Sequence, residues 1–126
     1  MTIFDDVEEF HKALDVPIGP RPGFPSDDEV HLRNELLAEE IRELSYAIAN
    51  KDIVEAADAI ADAVYVLLGT ALSFGIPFDE VWKEVHRSNM DKAGGPVRAD
   101  GKRLKPEGWK PPDVKGVLAQ HNSNGD

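Results

Sequence analysis

Cysteine is absent from this 126-residue chain, which excludes a disulfide scaffold and any thiolate metal site and fits a reducing compartment. Long apolar runs are missing too. No stretch of 18 apolar residues occurs, and neither a signal-peptide pattern nor a lipidation motif is present, so the expectation is a cytoplasmic protein without membrane contact. Residues 56–74 come nearest to a span, but Asp58 and Asp62 interrupt them. Cations are scarce early in the chain: residues 1–82 hold five Lys and Arg against eighteen Asp and Glu. With a formal net charge of -10, the chain is unsuited to coating a nucleic acid, and no such partner is expected. Residues 83–115 reverse the balance, with nine Lys and Arg and five Asp and Glu. An acidic part thus precedes a basic one, an arrangement able to hold both a cation and an anion.

The length suits one domain, placed at residues 1–118 with core helices at about 27–92 and a disordered tail at 119–126. Residues 2–14 read as a short amphipathic helix capped by Thr2, with Phe4, Val7, Phe10 and Leu14 on or near one face. Four prolines and two glycines between Asp15 and Pro25 then impose an extended connector. Ser26 and Glu29 form a capping-box pattern, and no residue breaks the helix from there to about Asn50. Asp52 and Glu55 open the next helix, which Gly75, Ile76 and Pro77 end. A third long helix runs to about Met90, with Val81, Trp82 and Val85 expected to face inward. Beyond it, Asp100-Gly101 suits a tight hairpin turn, and residues 105–117 are proline-rich and irregular. The fold class expected is all-α, with an extended C-terminal segment.

Charge placement on the second long helix is unusual. Each helical residue turns about 100°, so Glu55, Asp58 and Asp62 fall on one stripe, continued by Gly69 and Ser73. The rest of the circumference is Ala, Ile, Val, Leu and Phe, the pattern of a helix packed on several sides. No Lys or Arg occurs from Ile53 to Trp82. Carboxylates at a packed interface repel one another and resist desolvation, so something else must neutralise them.

The preceding helix carries "AEEIREL", in which Glu40 and Glu43, and likewise Glu39 and Glu43, share a face. If the two helices pack antiparallel, as their short turn favours, these acids meet Asp58 and Asp62. Clustered hard oxygen ligands suit Mg²⁺, with Mn²⁺ as a substitute. Ordinary readings compete. Glu39 and Glu43 could form a solvated face or pair with Arg42 or Lys51, Glu55 could be only a cap, and Arg87 could pair with Glu84 or Asp91.

The two-helix carboxylate pattern resembles the all-α nucleotide pyrophosphohydrolases, which include MazG-like proteins, dimeric dUTPases and phosphoribosyl-ATP pyrophosphohydrolases. Their signature is Glu-x-x-Glu on one helix and Glu-x-x-Asp on the next. Glu40-Ile-Arg-Glu43 matches the first half, and Asp62 followed by "AVY" matches the end of the second. Three residues before Asp62 stands Ala59, so Asp58 or Glu55 must supply any replacement ligand. Residues 84–114, "EVHRSNMDKAGGPVRADGKRLKPEGWKPPDV", look like the C-terminal part of a MazG-like subgroup with dUTPase-type chemistry. The resemblance covers residues 28–118.

It implies Mg²⁺-dependent release of pyrophosphate from a nucleoside triphosphate, dUTP-like or otherwise non-standard, as nucleotide house-cleaning. It implies metal ligands among Glu39, Glu40, Glu43, Asp58 and Asp62, with Glu39 or Glu40 activating water. It places Asn89 and Lys92 at the nucleotide, with Lys102, Lys105 and Lys110 as further phosphate contacts and Trp109 as a base-stacking or loop-anchoring residue. Relatives complete their bundles across subunits, which implies a homodimer or tetramer. A phosphoribosyl-ATP pyrophosphohydrolase and a non-catalytic metal- or nucleotide-binding dimerisation module are the alternatives.

Overall fold

The structure, a computed structural model, describes residues 1–124, with side chains to residue 122. It divides into two compact units, Met1–Ile76 and Pro77–Asp126. Among the described residues the regular structure is all helical, with one isolated antiparallel bridge between Val97 and Arg103.

Three helices make the first unit: α1 (Ile3–Ala13), α2 (Asp27–Ala49) and α3 (Ile53–Ser73). Each begins where a short polar side chain satisfies an open amide. Thr2 Oγ1 accepts from the Asp5 N–H while the Asp5 carboxylate accepts from the Thr2 N–H. Ser26 accepts from Glu29, and Asp52 from Glu55. Between α2 and α3 the chain reverses within three residues, with Lys51 at φ 54. So short a turn forces the two helices antiparallel, and they pack along their length, while α1 lies on α3. The core is Val7 of α1, Ala47 of α2, and Ala59, Ala63, Leu68, Ala71 and Leu72 of α3.

The proline-rich connector is fastened to the end of α3. Gly19 N–H donates to Leu72 O at 2.8 Å and Gly23 N–H to Phe74 O at 2.9 Å, satisfying carbonyls that a helix C-terminus leaves open. Gly75, at φ +66, lies against the Arg21 backbone with no room for a side chain.

The second unit contains α4 (Phe78–Met90) and α5 (Val114–Asn124), packed on each other. Between them the Asp100-Gly101 turn forms as expected, with Gly101 at φ +92 and Arg98 N–H donating to Lys102 O at 2.7 Å. Two expectations are corrected here. Trp82 faces outward, 58 % exposed, stacked on Phe78 instead of entering the unit. Residues 114–124, expected to be irregular and then disordered from 119, form a helix because Asp113 caps it: its carboxylate accepts from the Gly116 N–H at 2.9 Å. Residues 125 and 126 of the expected tail lie outside the described residues.

Candidate metal centre

The reversal at Lys51 determines which acids of α2 and α3 can meet. Glu40 and Glu43 share a face of α2, and Asp62 approaches from α3. One carboxylate oxygen from each of the three lies within 4.8 Å of the others. Glu40 is half-buried, and its Oε2 is buried without a hydrogen-bond partner. Burial pushes the Glu40 pKa up, and the charges of Glu43, Asp62 and Glu39 push it the same way. A buried, unpartnered oxygen among like charges is costly unless a cation completes it. An all-oxygen donor set suits a hard divalent ion such as Mg²⁺ or Mn²⁺, so the residues present fit one.

Glu39 and Asp58 are exposed and stand outside the group of three. Ala59 is 2 % exposed and belongs to the core, so a carboxylate at that position would itself be buried. Glu55 donates its N–H to the Asp52 cap and is exposed, the ordinary reading of that residue. Among the described residues, neither Arg42 nor Lys51 forms an ion pair with Glu39 or Glu43.

One turn further along the same helices, Leu36 and Val66 border a cavity of about 420 Å³. Phe10, His11, Glu29, Arg33 and Tyr65 also line it. The Phe10 and Tyr65 rings meet edge to face at 5.3 Å. Arg33, 7 % exposed, donates from Nε to Thr70 Oγ1 and from Nη2 to Val66 O. Beside it His11 is 3 % exposed, and its Nδ1 is buried without a partner. Burial lowers the His11 pKa, as does the Arg33 charge, against opposing contributions from the Pro17 backbone and Glu29. Ser73 Oγ donates to Glu29 Oε1 at 3.2 Å, so Glu29 turns its side chain to α3 instead of completing the capping box. Sequence reasoning did not select these residues. The signals were a lone arginine on the apolar stripe of α2 and the continuation of the acidic stripe into Gly69 and Ser73.

In the second unit the basic segment gathers around Trp109. Its Nε1 donates to Ser88 O at 2.7 Å, and the ammonium groups of Lys92 and Lys105 stand 5.3 and 4.8 Å from its ring centroid. Lys92 Nζ also donates to Asn89 Oδ1 at 3.1 Å. Four of the expected substrate residues, Asn89, Lys92, Lys105 and Trp109, therefore meet. Lys110 borders a shallow cavity beside Trp109, while Lys102 sits in the hairpin turn with its N–H on Asp100. Trp109 is tied to α4 by this bond and attended by two ammonium groups. Arg87 is similarly committed, bonded to Glu84 at 2.9 Å and Asp91 at 2.8 Å.

The sequence profile of the phosphoribosyl-ATP pyrophosphohydrolase family matches residues 7–89. That span contains α2, α3, the whole carboxylate group and the cavity. No curated protein matches the chain significantly.

Proposed function

The chain belongs to the phosphoribosyl-ATP pyrophosphohydrolase family and is a nucleotide pyrophosphohydrolase, a hydrolase acting on acid anhydrides; from that premise we propose that it uses Mg²⁺, or Mn²⁺ in its place, to release pyrophosphate from a nucleoside triphosphate. The observation that carries the proposal is the buried, unpartnered Oε2 of Glu40 within the group formed with Glu43 and Asp62. Glu40, Glu43 and Asp62 would hold the ion, with Glu39 and Asp58 nearby on the same helices. Bound there, a divalent cation raises the acidity of a water and offsets phosphate charge.

The chain's own groups supply the rest. A carboxylate of the Glu39–Glu40 pair takes the proton from the attacking water. The resemblance of residues 84–114 supports Lys92 and Lys105, with Lys102 and Lys110, as residues that neutralise phosphate charge. The cavity one turn from the carboxylates offers aromatic edges together with the charged Arg33 and Glu29, a lining suited to a nucleoside.

Two substrate readings remain, each with its own support. Phosphoribosyl-ATP is favoured by the family match at residues 7–89. A dUTP-like nucleotide is favoured by the resemblance of residues 84–114, most of which lies beyond that match. Self-association into a homodimer or tetramer is supported by the apolar side chains that one copy leaves exposed on α3. Ile53 is 80 % exposed, and Ile60 and Leu67 follow on the same stripe. Pyrophosphate release from phosphoribosyl-ATP, dUTP, dCTP and standard triphosphates, measured with Mg²⁺ and with EDTA, tests the proposal. Activity only on phosphoribosyl-ATP decides for the first reading, and none on any substrate sinks both.

A further inference from the structure

Near the carboxylates the α2–α3 seam offers little interdigitation to hold its axial register, between the turn at Lys51 and the polar contacts that Arg33 and Glu29 make with α3. Its buried residues nearest the carboxylates are Ala47, Ala59 and Ala63, whose single methyl groups make shallow ridges and grooves. Repulsion among Glu40, Glu43 and Asp62 works against the alignment that brings them together. A directional contact occurs two turns from Glu40 on α2. Arg33 Nε donates to Thr70 Oγ1 at 3.1 Å, and Nη2 donates to Val66 O at 2.9 Å. Thr70 Oγ1 donates to the same carbonyl at 2.8 Å. Val66 is one turn from Asp62. The guanidinium reaches α3 where Gly69 has no side chain, and a Cβ there would stand 2.5 Å from Nη2.

We propose that Arg33 is a positioning residue for the carboxylate centre: its clamp on Val66 and Thr70 sets the register in which Glu40 and Glu43 face Asp62. The proposal rests on the metal reading given above. A slip of one residue moves α2 by about 1.5 Å, against a tolerance of roughly 0.2 Å for metal–ligand distances. Alignment of this seam therefore determines whether three oxygens can share one ion. Electrostatics alone predicts the opposite effect. A guanidinium near the site lowers its affinity for a cation, so deleting that charge should tighten binding unless the clamp matters more.

The sign of the change is the test. Mn²⁺ binding without nucleotide is measured by electron paramagnetic resonance on the full chain, alongside helicity and the melting temperature in EDTA. The wild type should bind, and Asp62→Asn should lose binding. Arg33→Met should bind at least tenfold more weakly with its helicity intact. Gly69→Ala, which keeps the charge but displaces the guanidinium, should weaken binding similarly. Arg33→Lys should recover part of the loss by donating to Val66 O. Should Arg33→Met fail to fold, Gly69→Ala and Arg33→Lys carry the same comparison. Wild-type or tighter Mn²⁺ affinity in the clamp variants overturns the proposal alone, even where the EDTA melting temperature falls. A wild type that binds no Mn²⁺ overturns the metal reading and the clamp with it.

Discussion

Glu40 in α2 and Glu84 in α4 are both half-buried glutamates whose carboxyls are driven in opposite directions. Glu84 has donors on both sides: Arg87 bonds both its oxygens, and the Asp113 N–H reaches Oε2 at 2.7 Å. Its pKa is accordingly lowered to about 2, chiefly by the Arg87 hydrogen bond. Glu40 has acids for neighbours and one oxygen with nothing to accept from. The first carboxylate is fully engaged in holding α4 to the segment that leads into α5. The second stays open to a ligand from outside the chain. Exposure alone does not separate the two; what surrounds each oxygen does.

Removing the acid opposite Glu40 should break the contrast most severely. Asp62→Asn is expected to lower Mg²⁺-dependent pyrophosphate release on the order of a hundredfold or more, while circular dichroism shows the helices intact. Next in size is the effect of the ion on stability. A cation that binds only the folded chain adds about 2.7 kcal/mol at a hundredfold excess over its Kd. The melting temperature should rise by several degrees in Mn²⁺, but not in NaCl of equal ionic strength, and the rise should shrink in Asp62→Asn.

The pH dependence of the metal-free protein should show the two glutamates with opposite signs. The folded pKa of Glu84 is depressed from 4.5 to about 2, so its contribution is present above 4.5 and lost as pH falls toward 2. The folded pKa of Glu40 is raised, so ionising it costs stability as pH climbs from 4.5 through the folded value. Chemical denaturation across pH 2–8 should show Glu84→Gln flattening the acid limb and Glu40→Gln flattening the decline at higher pH. The smallest effect is expected from Trp109→Phe, which keeps the ring beside Lys92 and Lys105 but loses the bond to Ser88 O. It should cost about 1 kcal/mol in equilibrium unfolding.

Features set by neighbours in the chain were legible in the sequence. The caps at Thr2, Ser26 and Asp52 act over three residues, and the short turn at Lys51 needs no distant partner to make α2 and α3 antiparallel. The pairing of Glu40 and Glu43 followed from helix spacing, and Asp62 from the stripe and the family pattern together. What escaped depends on groups far apart in the chain. Arg33 and Val66 are 33 residues apart, and nothing local to Arg33 in the sequence points to that contact. Trp82 was assigned inward by periodicity, which cannot tell a core face from one left open. Helix α5 was hidden because Pro111, Pro112 and Gly116 spoke for irregular chain, while the Asp113 cap that overrides them was overlooked.

The connector between α1 and α2 looks like a tether, yet its amide protons at Gly19 and Gly23 are held by the last carbonyls of α3. On a deuterium-exchange clock it should therefore keep time with the helix it touches and not with loops of similar composition. Its protons can leave only when the end of α3 lets go, so their exchange rates read out the opening of that helix end. The same coupling makes proteolysis of the proline-rich stretch a reporter of α3. A cut there would record the moment when the terminal turn beside Ser73 comes loose, well before the unit as a whole unfolds.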